Sequence, residues 1–445
     1  MKKFNKLAAA VAIATISMSY SANASDTTVA VHGMIKSGTN WVADDGLRRG
    51  GHGLIGINED GYFHAFGNEA VHKVQINPTV TYTGDDGVYA RAEMIFSHEN
   101  YDNDDWDVNK NAGGGFRRAV VYLGGFDWNP STEFWGGKTK DAAGSIFTGS
   151  YDTGYVEDYG VGGGFQNMDI SFAKWDLNII SFDSDNDPKS PKDAGVTNKK
   201  GAPTATGITT WLHGIADTGL DFYFRQVTNS QDKGENDTFA KTGFQTALVY
   251  NTPGFLWFGE GFSKIIAQHG KNAGAAPKLA GAYYGVNQGQ YFNRFAIDGA
   301  WNISKDLSVL SMLFLQHDHY DQDANRDFIA ASVRPSYQVS PHVNLQFEIA
   351  YEHANYNGKN VENRKDKAFK GNYDCIKLTF APTFQLGQGI WGSPSIQPYV
   401  TYGRWNRKAA DDKLFRGDGI YTTTSKANLL DTSTWIVGIQ AQAYF

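Results

Sequence analysis

The stretch that decides the fold is "STWIVGIQAQAYF", residues 433–445. Its odd positions read Trp435, Val437, Ile439, Ala441, Ala443 and Phe445; its even positions from Gly438 onward read Gly438, Gln440, Gln442 and Tyr444. A period of two with one apolar and one polar face is the signature of a β-strand. A soluble protein would use such a strand half-buried. A β-barrel in a bilayer would turn the apolar face to lipid and the polar face to its lumen. The rest of the chain decides between them.

The alternation recurs along the sequence. In "VNLQFEIAYEH" Val343, Leu345, Phe347, Ile349 and Tyr351 share one face, and Asn344, Gln346, Glu348, Ala350 and Glu352 share the other. Similar pieces are "GVYARAEMIFS", "STEFWGGK", "MDISFAKW", "LDFYFRQV", "FSKIIAQHG", "LSVLSMLFLQH", "IKLTFAPTFQL" and "SIQPYVTYGRW". Short connections such as "ISKD" and "SPH" contrast with long polar ones at 42–66, 98–115, 183–206, 228–240, 353–372 and 406–432. Alternating short and long connections predict an all-β transmembrane antiparallel barrel, with tight turns at one rim and long external loops at the other. No composition shift marks a domain boundary and no fixed-period repeat is evident.

The start of the chain agrees. Residues 1–24 carry Lys2, Lys3 and Lys6, then a short apolar run and the small residues "ANA" before Ser25. This reads as a secretory signal peptide cleaved after Ala24, leaving residues 25–445 as one barrel domain. Loss of three lysines and no acid takes the formal charge from −7 to −10, which disfavours nucleic acid as a partner. The mature part holds no apolar run long enough for a membrane helix. The single cysteine, Cys375, cannot form an intramolecular disulfide and falls on the polar side of its strand. The negative mean hydropathy is what a barrel requires, because only alternate residues meet lipid. Phe445 after an alternating strand resembles the C-terminal signal by which outer-membrane proteins are recognised for insertion.

Several blocks then become specific. "VAVHGMIKSGTNW" (29–41), "FGNEA" (66–70), "STEFWGGK" (131–138), "GVGGGFQNMDISFAK" (160–174), "GFSKIIAQ" (261–268), "VRPSYQVSP" (333–341) and "IWGSPSIQPYVTYGRW" (390–405) resemble the maltoporin family of sugar-specific porins, in that family's order. The resemblance implies a homotrimer of 18-stranded barrels in the outer membrane of a Gram-negative bacterium. A third loop folded inward would narrow each channel, and sugars would slide along a line of aromatics. Aromatic faces bind the C–H face of a sugar ring, while charged donors and acceptors bind its rim of hydroxyls. Several weak sites in sequence let the sugar leave as well as enter.

Carried over residue by residue, the aromatic slide falls on Trp106, Phe262, Trp391 and Tyr444. Tyr444 is on the polar face by parity alone. Two further slide positions, tyrosines in the family, are Met34 and Lys73 here. The resemblance places Lys36, Lys73, Arg117 and Asp152 in the polar tracks and constriction, with Gln75 where the family has Glu. The constriction tyrosine aligns with Gly154, and the adjacent Tyr155 is expected in its place. Two family arginines fall at Ala65 and in Ala143-Gly144-Ser145 and are lost, and Ala70 stands at one position of an absent cysteine pair. A sugar channel is therefore expected, with maltodextrin itself in question as the cargo. A general diffusion porin, selecting by size and charge, is the alternative.

Other motifs are weaker. "DSDNDPKS" (183–190) lacks the glycine and distal Glu of a calcium loop, and "HDHYDQD" (317–323) reads as a strand end rather than a metal site. "GVGGG" (160–164) lacks the strand–helix setting of a phosphate loop. Arg48 and Arg49 are expected to meet lipopolysaccharide. No Ser/His/Asp set stands out, so neither enzyme chemistry nor a cofactor is expected. The expected partners are a sugar, outer-membrane lipid and lipopolysaccharide, and further copies of the chain.

Overall fold

The computed structural model describes residues 26–43, 47–49, 55, 66–68, 70–100, 113–140, 146–147, 154–156, 159–183, 204–230, 240–275, 288–320, 324–357, 370–407 and 432–445. Residues 1–24, read above as a signal peptide, lie outside them. Eighteen long strands build the wall: β1 (Asp26–Val42), β2 (His72–Thr83), β3 (Tyr89–Asn100), β4 (Gly113–Phe126), β5 (Asn129–Lys140), β6 (Tyr159–Asp169), β7 (Lys174–Asp183), β8 (Thr204–Ile215), β9 (Leu220–Ser230), β10 (Thr242–Pro253), β11 (Glu260–Asn272), β12 (Tyr291–Asn302), β13 (Leu307–His319), β14 (Asn325–Ser340), β15 (Val343–Asn357), β16 (Gly371–Gln385), β17 (Ser395–Trp405) and β18 (Ser433–Tyr444). Each pairs antiparallel with the next, and β18 returns to β1 through Met34↔Tyr444 to Val42↔Ile436, closing the barrel. The short turns 84–88, 127–128, 170–173, 216–219, 254–259, 303–306, 341–342 and 386–394 gather at one rim, and the strand ends that lead into the other connections lie at the opposite rim.

Burial is inverted relative to a soluble protein. On β15, Asn344, Gln346, Glu348, Ala350 and Glu352 are buried while Phe347 and Ile349 are exposed. The polar parity therefore points into the barrel and the apolar parity outward, as in a wall that meets hydrocarbon. Trp435 and Ile439 on β18 and Val29, Val31 and Ile35 on β1 obey the same rule. Near the short turns the outer face carries a chain of rings, Phe126–Trp128, Phe126–Phe134, Phe134–Phe165 and Phe165–Trp175, and farther round Phe255 stacked on Trp301 at 5.9 Å. Near the long loops Tyr291 stacks on His319 at 4.9 Å and His353 accompanies Tyr351. His317 pairs there with Asp327 and His319 with Asn325. Such belts suit the two polar interfaces of a bilayer.

The inner face is uneven. On β14–β16 the inward positions are buried almost without a break, from Phe328, Ala330 and Ser332 to Tyr373, Cys375, Lys377 and Thr379. On β1 and β2 the inward Met34, Lys36, Lys73 and Gln75 are only half-buried. Part of the packed side is covered by the first long connection, read from the sequence as a polar external loop over 42–66. Ile55 and residues 66–68 instead lie against the inner wall. Lys377 donates to the Phe66 carbonyl at 2.8 Å, Thr401 donates to the Gly67 carbonyl at 2.5 Å, and Arg334 sits 4.3 Å from the Phe66 ring centre. The side chain of Asn68 donates to and accepts from the backbone of Ile55, which packs against Gly403. Apolar Ile55 and Phe66 inside a polar stretch are what draw it inward.

"GVGGG" enters β6, a strand and no phosphate loop. Gly162 and Gly164 lie so close to β7 that an added Cβ would meet the carbonyl oxygens of Ile179 and Leu177 at 2.0 and 1.9 Å.

Candidate functional site

Antiparallel partners share a face, so the register itself assembles the site. Tyr444 on β18, Met34 on β1 and Gln75 on β2 form one inward row, which continues to Ser97 on β3. The next row towards the long loops is Gln442, Lys36 and Lys73. Two residues along a strand span about 6.6–6.8 Å, so the rows adjoin. Tyr444 is 56% exposed, with its ring open to the lumen side at the short-turn rim.

Trp391 lies in the turn 386–394, whose Ser393 meets Tyr444, and is 59% exposed. Hydrogen bonds hold that turn in place. The Gln385 side chain donates to the Gly389 carbonyl at 2.7 Å, the Gly389 N–H donates to the Gln338 side chain at 2.9 Å, and the Tyr444 N–H donates to the Ser393 hydroxyl at 2.9 Å. Phe262 lies at the same rim, near the start of β11. Its partner Ala300 is buried and inward, which puts the half-buried Phe262 on the lumen side.

The other expected residues are placed as follows. Arg117 is the extra residue where the β3–β4 register shifts between Ile95↔Arg118 and Phe96↔Phe116. Beside it, Arg118 points inward and pairs with Glu93 at 3.2 Å. Tyr155 belongs to a small hairpin in the third long connection, in which Ile146 and Phe147 pair with Val156 and Gly154. Trp106 and Asp152 lie outside the described residues. The backbone of Arg48 and Arg49 pairs with Val42 and Trp41 at the top of β1.

Two polar clusters were not anticipated from the sequence. Arg91 binds Glu133 at 2.7 Å and lies 4.2 Å from the Tyr122 ring centre. Glu133 also accepts from the Tyr89 hydroxyl at 2.7 Å and from the Gln166 amide at 2.5 Å. On the packed side, Glu348 takes Arg334 at 3.1 Å and Lys377 at 2.9 Å. Parity was the available signal: Glu348 was read on the polar face, but its partners come from strands on both sides.

The family model described as LamB porin matches residues 29–445. The chain belongs to the LamB porin family. This LamB porin is accordingly an outer-membrane β-barrel porin. Among solved structures it is similar to OprD of Pseudomonas aeruginosa, at 8% identity and TM-score 0.47, covering 94% of each chain. It is also similar to OccAB1 of Acinetobacter baumannii, at 11% and 0.48, covering 95% of this chain and 97% of that one. OmpT of Vibrio cholerae follows at 12% and 0.42, with 95% and 99% covered. Among the described residues of this LamB porin no group of three or more His, Cys, Asp or Glu is arranged to hold a metal ion.

Proposed function

We propose that this porin is a carbohydrate-selective channel, giving facilitated diffusion of oligosaccharides or glycosides. The observation that carries the reading is the pair of adjoining rows on the open side of the lumen. An exposed aromatic, Tyr444, stands next to Gln75, Gln442, Lys36 and Lys73, with Trp391 pinned at the same rim. A sugar offers one apolar face and a polar rim, and this wall offers a partner to each. Phe262, Trp106 and the hairpin bearing Tyr155 are assigned to the same route, with Asp152 and Arg117 at its narrow point. The reading includes export by residues 1–24, contact with outer-membrane lipid and lipopolysaccharide, and a homotrimer. A shallow apolar trough on the outer surface beside the β18–β1 seam, lined by Ile35, Ser37, Ile396, Ala441 and Ala443, offers small side chains where a neighbour could approach.

The test is planar-bilayer conductance titrated with glucosides, maltodextrins and sucrose. Saturable block of the ion current by at least one sugar supports selectivity. Current indifferent to every sugar assigns the protein to general diffusion.

A further inference from the structure

We propose that Gln338 is a positioning residue for the sugar route: its side-chain amide clamps the backbone of Gly389 and so holds the Trp391 ring as a preformed stacking face at the short-turn mouth. The inference rests on the sugar-channel reading above and names a residue that acts within it. Gln338 lies on β14 between Tyr337 and Val339, both exposed on the outer wall, so its own side chain turns inward. The turn 386–394 joins β16 to β17, yet it reaches back to β14 through the Gly389 N–H, which donates to the Gln338 side chain at 2.9 Å. The Gly389 carbonyl accepts from the Gln385 side chain at 2.7 Å. Gln385 is buried between the exposed Phe384 and Leu386, so it too points inward. Both clamps are inward side chains, and Gly389 therefore lies on the lumen side of the wall.

Trp391 is bracketed by these anchors. Two residues before it Gly389 is clamped, and two residues after it the Ser393 hydroxyl accepts from the Tyr444 N–H at 2.9 Å. Between them Gly392 packs so closely on the Gln385 amide that an added Cβ would meet it at 2.5 Å. A ring on a tethered turn has already lost freedom that a loose one would lose on binding, and such preorganisation favours the bound state. The chemistry of the amide explains why a glutamine stands here. Its oxygen offers two lone pairs and its NH2 group two hydrogens. The oxygen takes the Gly389 N–H and the Asn344 amide at 3.1 Å, with the Gln385 amide farther off at 3.4 Å. The NH2 group donates to the Ser340 carbonyl at 2.5 Å and the Val343 carbonyl at 3.4 Å, across the neighbouring turn 341–342. One side chain thus ties two adjacent turns, and the oxygen is the atom that reaches the turn bearing Trp391.

The test is sugar block of the bilayer current carried by the purified full-length protein. The probes are the glucosides, maltodextrins and sucrose of the titration above, and the strongest wild-type blocker is carried into the variants. Gln338→Met keeps the length of the side chain and removes the acceptor; it is expected to raise the half-blocking concentration about five-fold, the scale of one lost hydrogen bond. Gln338→Glu keeps the acceptor and should block like the wild type. In a Trp391→Ala background Gln338→Met should change nothing further, because a residue that acts through the ring has no effect once the ring is gone. The same loss in that background, equal losses in the Glu and Met variants, or wild-type block in Gln338→Met or Trp391→Ala overturns the inference and leaves the sugar channel standing. A wild-type current indifferent to every probe removes both. Should Gln338→Met fail to assemble, Gln338→Asn, one methylene short of Gly389, is measured in its place, and wild-type block in that variant overturns the proposal.

Discussion

Tyr444 and Glu348 show how one side chain serves the lumen in two different ways. Tyr444 is exposed and held through its own backbone, by the Ser393 hydroxyl and by its place opposite Met34. Replacing the ring should therefore leave the wall intact. Tyr444→Ala and Trp391→Ala are each expected to weaken sugar block by roughly 1–3 kcal/mol, the scale of a lost aromatic stack, with small-ion conductance nearly unchanged. Unaltered block in both variants would reassign the two rings to the interfacial belt. Glu348 is the opposite case: fully buried, it is the shared anion of Arg334 and Lys377. Removing it takes the carboxylate away from both Arg334 and Lys377, and breaking such a buried pair costs about 3–5 kcal/mol. Glu348→Ala should lower the temperature at which the folded band disappears in a heat-modifiability gel. A variant that melts with the wild type would mean that water or another acid replaces the carboxylate.

At the scale of elements, β6 and the third long connection make the sharpest statements. The close approach of β6 to β7 leaves no room for a Cβ at Gly164, whose nearest obstacle is backbone and cannot rotate away. Gly164→Ala should cost about 1–3 kcal/mol, the range for forced overpacking, and reduce the yield of folded barrel in refolding. An equal yield would show that the β6–β7 pair separates without penalty. In the third connection, Tyr155→Cys in a background lacking Cys375 should give a current that falls on adding a thiol-reactive blocker. Current that does not respond would place the hairpin away from the pore. Cys375 itself is buried on the inner face. Strand identity was readable because period-two alternation survives in nearly every segment: the faces assigned to Val343–Glu352 and to Gly438–Tyr444 are those of the structure. Loop placement was not. Hydropathy marks 42–66 as polar, and nothing local records that the Phe66 and Gly67 carbonyls find their donors on β16 and β17, more than 300 residues away. The Arg91–Glu133 and Arg334–Glu348–Lys377 clusters escaped for the same reason, since register between strands is a property of pairing and not of either sequence.

At the scale of the molecule, closure of β18 on β1 leaves every strand of the barrel paired on both sides. Circular dichroism of the purified protein should be dominated by β-sheet, and the protein should require detergent. Native gels and light scattering should give three chains per particle, the assembly proposed above. A helical spectrum or a water-soluble monomer would be incompatible with the fold, while a detergent-soluble monomer would remove only the trimer.

The contrast between a packed inner wall on β14–β16 and an open one on β1–β2 also bears on how such a channel diverges. Residues that fix the shape and those proposed to meet the cargo sit on different arcs of the same cylinder. Exchanging Met34, Lys36, Lys73 or Gln75 touches few tightly packed atoms, so selection can retune what passes without reopening the problem of folding. The departures already seen at Met34 and Lys73 fall on that permissive arc, which is where further drift in diet should leave its mark.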